Sequence, residues 1–144
     1  MVKEYQRLKE DENERLKLDW NLQRTLSKVN YRIHTDAIKE TLIPAEISKQ
    51  QANMVYAFEA DLLNVALFGK TAQEWRSENL QTKGNIRDTA TLKQLVVLSN
   101  IESVNSVLIR HGLNQQERLI QLNAIAITQM KSLLGNVNIA ELKK

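Results

Sequence analysis

The chain of 144 residues contains only four glycines and one proline, and this scarcity of helix breakers constrains its fold most strongly. All-β folds need turn residues at roughly every 8–12 positions, which five such residues cannot supply. The chain is also rich in Leu, Gln, Glu, Lys, Arg and Ala, the residues that favour helices. We therefore expect an all-α fold, a compact bundle of about five to seven helices.

Helix starts and ends can be placed from capping signals. Positions 2–33 hold no Gly or Pro, which predicts one long helix, and Thr35 is expected to cap a short second helix before Pro44. Capping boxes and terminal glycines then predict the later boundaries: Ser48 with Gln51, Thr71 with Glu74, Thr91 with Gln94 and Asn114 with Glu117, then Gly69, Gly112 and Gly135. The single domain thus comprises a long, partly protruding helix (1–33), a bundle core (35–134) and a tail (135–144).

The segment 91–111 is apolar in nearly every direction around a helix axis. A helix that is apolar all round is buried, so we expect this one at the centre of the bundle. The helix over 115–134 has a single apolar face and should pack on the outside.

The long first helix carries two apolar stripes. Five residues at helical spacing form the first, and three form the second: Leu18, Leu22, Leu26, Val29 and Ile33, then Leu16, Trp20 and Tyr31. About 30 residues make a helix roughly 45 Å long, whereas a compact chain of this length is only about 37 Å across. We expect one stripe to pack internally and the other to meet a second copy in a homo-oligomer.

A basic face accompanies these stripes, although the net charge of the chain is only +3. Lys17, Arg24, Lys28 and Arg32 fall within about 80° of arc around the helix. Such a face suits a phosphate backbone, but a solvated charged face is the commoner explanation, and both interpretations stay open.

No catalytic constellation is evident. The absence of cysteine excludes thiolate nucleophiles and Cys-based metal sites, and Gly69-Lys70-Thr71 lacks the rest of a phosphate-binding loop. The two histidines, His34 and His111, complete no metal or catalytic set, and are interpreted as a junction residue and a helix C-cap. We expect no enzyme activity, no cofactor and no bound metal.

One loop stands out. Residues 84–88 place Arg87 and Asp88 beside the central helix, whose apolar surface is interrupted by three polar residues: Asn100, Glu102 and Asn105. Buried polar groups must be paired, so we expect Arg87 or the loop backbone to bond to this group and fix the loop. The alternative is a polar pocket, which would serve a third hypothesis, an enzyme.

Two blocks of sequence resemble the carboxy-terminal region of phage and bacterial proteins of the KilA-N family, from about Glu4 to Leu134. They are YRIHTDAIKETLIP (31–44) with EADLLNVALFGKTAQEWR (59–76), and KGNIRDTATLKQLVVLSNIESVNSVLIRHGL (83–113) with QERLIQLNAIAITQM (116–130). In that family the DNA-binding domain lies upstream of this region. The resemblance implies a helical accessory, oligomerisation or protein-interaction domain, with DNA bound through the upstream domain.

The cellular location follows from what the chain does not contain. No apolar run reaches the roughly 18 residues of a membrane span, and the charged start MVKEYQRLKEDENERLK is unlike a signal peptide. We expect a cytoplasmic protein with no membrane partner and no small-molecule cofactor.

Overall fold

The computed structural model describes the backbone of residues 2–142, and the side chains of residues 6–18 and 20–135. No strand occurs within this part of the chain, and the all-α prediction is confirmed. The five α-helices are α1 (Val2–Ala37), α2 (Lys49–Phe68), α3 (Ala72–Glu78), α4 (Leu92–Arg110) and α5 (Gln115–Leu142).

The predicted capping signals set most of the helix boundaries. Helices α2, α3 and α4 each begin with a complete capping box, in which the cap hydroxyl and the side chain three residues later bond reciprocally to backbone N–H groups. Before α5, the Asn114 carboxamide oxygen accepts from the Glu117 N–H at 2.9 Å. Gly69 and Gly112 adopt left-handed φ values of 77° and 82°, as expected where a helix ends.

The first helix does not end at residue 33. It remains α-helical through Ala37 and continues as one π-helical turn (Ile38–Leu42). Thr35 caps nothing, because its hydroxyl donates to the Arg32 carbonyl at 3.0 Å. The prediction of a separate second helix is therefore wrong. Ala37 and Ile38 are buried, so apolar packing carries the helix past the position where the sequence suggested a break.

Gly135 does not end α5, which continues to Leu142 without a left-handed residue. A glycine inside a helix costs only about 1 kcal/mol relative to alanine, so Gly135 weakens the helix without ending it. The predicted tail (135–144) is thus helical over 135–142, while Lys143 and Lys144 lie outside the described residues.

Helix α4 lies at the centre, as predicted, and packs against α1, α2 and α5. The apolar core around it has two parts. The larger cluster joins α2, α4 and α5, and the smaller joins the end of α1 to the end of α4: Leu62, Leu63, Ala66, Val97, Leu98, Ile101, Leu122 and Ala126, then Ala37, Ile38 and Ile109. Ile101 and Ile109 belong to different clusters, and Asn105, one helical turn from each, lies between them.

Candidate functional site

Four polar side chains, one from each long helix, meet at this level of the bundle. They are His34 of α1, Glu59 of α2, Asn105 of α4 and Arg118 of α5, and each is 3% exposed or less. We call these four residues the polar layer. Because buried polar groups are costly unless they are hydrogen-bonded, the contacts within the layer decide whether the bundle can tolerate it.

Glu59 and Arg118 form a bidentate ion pair at the centre of the layer. Arg118 Nη2 donates to Glu59 Oε2 at 3.0 Å, and Nη1 donates to Oε1. Gln115 adds a hydrogen bond to Oε2 at 2.9 Å, and Arg118 Nε donates to the Leu113 carbonyl at 3.1 Å. Burial alone would raise the pKa of Glu59, but the hydrogen bonds from Arg118 and Gln115 hold it below its ordinary value. The pair is therefore charged and satisfied inside the core.

Asn105 connects this pair to α1. Its Oδ1 accepts from Arg118 Nη1 at 3.0 Å, and its Nδ2 lies 2.8 Å from His34 Nε2. Since the amide nitrogen only donates, Nε2 of His34 is the acceptor and the imidazole is neutral. Burial of the ring accordingly lowers the pKa of His34 to about 4.

Arg87 and Glu102 lie together beside the polar layer, as the sequence indicated. Arg87 Nη1 is 3.4 Å from Glu102 Oε1, which ties the loop to the central helix. The carboxylate is buried, and its Oε2 has no hydrogen-bond partner among the described residues. Burial raises the pKa of Glu102 to about 7, with the Arg87 charge acting in the opposite direction.

The rest of the loop is braced from within. Asp88 Oδ2 accepts from the Asn85 N–H at 2.7 Å, and Asn85 Oδ1 accepts from the Arg87 N–H at 2.9 Å. Gly84 has a φ of 95°, and a Cβ there would collide with the Asp88 carboxylate. Ile86 is buried and anchors the turn, so Asp88 serves the loop itself.

The five predicted polar-site residues therefore occupy four places and do not form one cluster. Arg87 meets Glu102, Asn105 belongs to the polar layer, and Asp88 closes the loop. Asn100 is exposed and donates to Gln129 of α5 at 2.9 Å. A cavity of about 300 Å³ beside the loop is lined instead by mostly uncharged residues: Leu67, Phe68, Lys70, Trp75, Ile86, Thr89, Ala90 and Gln94.

Sequence reasoning missed Glu59, Arg118 and the burial of His34. A signal was available, because Glu59 lies one helical turn from both Val55 and Leu63 on an otherwise apolar face of α2. Arg118 similarly precedes Leu122 on the apolar face of α5. A carboxylate and a guanidinium in such positions on two helices indicate a buried pair.

The surface of α1 is organised differently from the sequence prediction. All five residues of the first stripe, which we call the apolar stripe, are exposed: Leu18 66%, Leu22 58%, Leu26 49%, Val29 49% and Ile33 41%. The second stripe is exposed as well, with Leu16 at 53%, Trp20 at 49% and Tyr31 at 54%. The expectation that one stripe packs internally is therefore wrong.

The side of α1 that faces the bundle is polar instead. Asn30 Nδ2 donates to the Ser99 hydroxyl at 2.8 Å and to its carbonyl at 3.0 Å, and His34 bonds to Asn105. Hydrogen bonds thus hold this part of α1 against α4, and apolar contact begins only at Ala37. The apolar stripe lies about 110° around the helix from that contact and remains uncovered.

The basic face occupies the third side of α1. All four of its residues are exposed: Lys17, Arg24, Lys28 and Arg32. None of their side chains forms an ion pair with a described carboxylate. The outward surface of α1 thus carries the apolar stripe, the exposed second stripe and the basic face, whereas its polar side faces the bundle.

Comparison with known proteins gives no match: no family model, curated protein or solved structure is similar to this chain. Within residues 2–142, no helix has the length and hydropathy needed to cross a membrane. The described side chains also contain no group of three or more potential metal ligands.

The buried pair should be essential to stability. Replacing Glu59 with Ala leaves the Arg118 charge buried without a partner, which costs about 3–5 kcal/mol. The matched control is Glu78→Ala, because Glu78 pairs with Lys70 at 2.6 Å on the surface and such pairs contribute at most about 1 kcal/mol. Urea unfolding of both variants measures the difference, and equal losses would contradict this account.

Between pH 4.5 and 6.5 stability should depend on pH mainly through two opposing titrations, because Glu59, whose pKa is lowered from 4.5, loses its contribution below this window. The pKa of His34 falls from 6.5 to about 4 on folding, so its contribution is lost as the pH falls through that window. The pKa of Glu102 rises from 4.5 to about 7, so its contribution is lost as the pH rises through that window. Over pH 4.5–6.5 the two nearly cancel.

Single variants should reveal the pH dependence that each of the two residues contributes. With Glu102→Gln, unfolding free energy should drop by about 2–3 kcal/mol between pH 6.5 and 4.5, because only His34 still titrates. With His34→Gln, the unfolding free energy should instead drop as the pH rises from 4.5 toward 7, because only Glu102 still titrates. Urea titrations at several pH values measure these slopes, and parallel curves for the two variants would refute the assignment.

Proposed function

We propose that this chain is a non-catalytic accessory domain that mediates protein contacts or oligomerisation, with the apolar stripe of α1 as its contact surface. The observation that carries the proposal is the inverted arrangement of α1, which turns a polar face inward and leaves the apolar stripe outward. A helix folding only for its own domain would bury the apolar stripe.

The exposed area supports this assignment. The accessible surface is 10621 Å², against roughly 7600 Å² expected for a compact monomer of this mass. Fully burying an exposed leucine, isoleucine or valine side chain contributes about 1.5–3 kcal/mol. The five residues of the apolar stripe still expose 41–66% of their surface, so association can gain about half of that at each. Large contiguous apolar patches on soluble proteins mark interaction sites.

The biological setting that we propose comes from the KilA-N resemblance. GNIRD (84–88) is the loop braced against α4, and LSNIESVN (98–105) is the buried centre of α4, so both blocks lie in the part of the bundle that defines its shape. On that resemblance we propose a scaffold within a phage or mobile-element DNA-binding protein of the cytoplasm. DNA would then be bound by the upstream domain.

The contact surface can be tested with charge on the apolar stripe. Leu22→Glu with Val29→Glu should abolish association while leaving the urea midpoint within about 0.5 kcal/mol of wild type, because exposed positions contribute little to folding. Asn13→Glu with Asn21→Glu is the matched control, since both residues are exposed and the change adds the same charge to the same helix outside the apolar stripe.

Association is measured by light scattering for the chain alone and by capture of partners from a cell extract. The apolar-stripe variant should lose the association in either assay, whereas the control variant keeps it. Identical behaviour of wild type and the apolar-stripe variant in both assays would overturn the proposal.

Direct nucleic-acid binding through the basic face is a second candidate, favoured by the exposure of its four cations, none of which pairs with a described carboxylate. If all four contact phosphates, a plot of the logarithm of the association constant for duplex DNA against the logarithm of the salt concentration should have a slope of about −3.6. Arg24→Gln with Lys28→Gln should reduce that slope by about 2, and Lys39→Gln with Lys49→Gln should not. A slope near zero in the wild type would exclude this candidate.

A further inference from the structure

We infer that a groove where α2 and α4 meet α5 binds an amphipathic helix with acidic flanks, contributed by another protein. None of the residues that line this groove belongs to α1, so the inference goes beyond the proposed function and does not depend on it. It rests on the continuity of three cavities, on their apolar lining and on the charge at their edges.

Three cavities join to form the groove. The cavity of about 300 Å³ beside the loop shares Leu67 and Phe68 with a second of about 400 Å³. The second shares Met130 and Leu134 with a third of about 530 Å³, and Gln94 lines both the first and the third. Each cavity therefore adjoins the other two, and together they form one depression at the end of α2 and the start of α4.

The groove is apolar and shallow. Leu67, Phe68 and Met130 in its lining are half-buried. Three further apolar residues of the lining remain largely exposed: Leu92 43%, Ile127 46% and Leu134 56%. Small-molecule sites bury about 70–90% of their ligand, which so open a surface does not do. The groove therefore suits an elongated partner that lays an apolar face along it.

The length of the groove matches a short helix. Along α5 the lining extends from Asn123 to Leu134, which at 1.5 Å per residue is about 16 Å. A helix of about three turns has this length, and it presents apolar residues at spacings of three and four to a groove. A peptide strand would instead need the free edge of a sheet, and the described residues form no strand.

The charge at the groove selects an acidic partner. Lysine is the only charged residue type among the described lining residues, at Lys70, Lys93 and Lys131. Lys70 pairs with Glu78 at 2.6 Å, whereas neither Lys93 nor Lys131 forms an ion pair with a described carboxylate. Glutamates beside the apolar face of a bound helix would meet these two cations, and a basic helix would meet like charges.

The first test compares two peptides of opposite charge. The probe is a synthetic amphipathic helix with leucines along one face and glutamates on both flanks, and its counterpart carries lysine in place of every glutamate. Fluorescence anisotropy with the whole chain measures each Kd. The acidic peptide should bind about tenfold more tightly, because two lysines attract it and repel the other. Equal Kd values, or no binding of the acidic peptide, would overturn the inference.

Reversing the charge of the groove should reverse this preference. Lys93→Glu with Lys131→Glu should weaken binding of the acidic peptide about tenfold and strengthen binding of the basic peptide by a similar factor. A variant that keeps the wild-type preference would show that these lysines do not meet the peptide, and would contradict the charge argument.

A further pair of variants locates the contact on α5. Ile127→Glu with Leu134→Glu changes two exposed positions, which contribute little to folding, and should weaken binding of the acidic peptide at least about tenfold. Gln121→Glu with Thr128→Glu is the matched control, because both residues are exposed, have the same spacing on α5 and lie outside the groove. The control should keep the wild-type Kd, and equal losses in the two variants would count against the groove.

The apolar stripe of α1 is a separate surface, and its variant distinguishes the two contacts. Leu22→Glu with Val29→Glu should bind the acidic peptide with the wild-type Kd. Loss of peptide binding in this variant, together with normal binding by Ile127→Glu with Leu134→Glu, would place the peptide on α1. That result would overturn this inference and leave the proposed function standing.

Discussion

The ion pair between Glu59 and Arg118 is the interaction on which the bundle depends. Removing two charges from water costs several kcal/mol for each ion, and the pair is stable only where both groups are fully hydrogen-bonded. Asn105 of α4, Gln115 of α5 and the carbonyl of Leu113, which lies in the turn between these helices, provide those bonds. The rotation and height of α2, α4 and α5 are therefore fixed by directional contacts as well as by apolar packing.

Much of the architecture was predictable because its causes are local. A capping box is complete within four residues, so the starts of α2, α3 and α4 could be predicted without knowing the fold. The central position of α4 was predictable because its own sequence carries apolar residues on nearly every side of the helix. The contact of Arg87 with Glu102 was also predictable, since a lone carboxylate on a buried helix needs a cation and the adjacent loop offers one.

The remainder depended on long-range contacts that the sequence does not display. The rule that apolar residues face inward misplaced α1, because that helix docks through Asn30 and His34 and keeps its leucines outside. The polar layer was missed for a related reason. Its four members lie 13 to 84 positions apart along the chain, and each has an ordinary explanation when considered alone.

The amino-terminal half of α1 has little to stabilise it as a helix. Described side chains between residues 6 and 22 are all exposed, so this segment gains nothing from the bundle beyond its own backbone hydrogen bonds. Isolated helices of such length are marginal in water, and their order depends on what packs against them. Any protein that packs along this segment would therefore raise its helical content, and association of two copies would make that content rise with chain concentration.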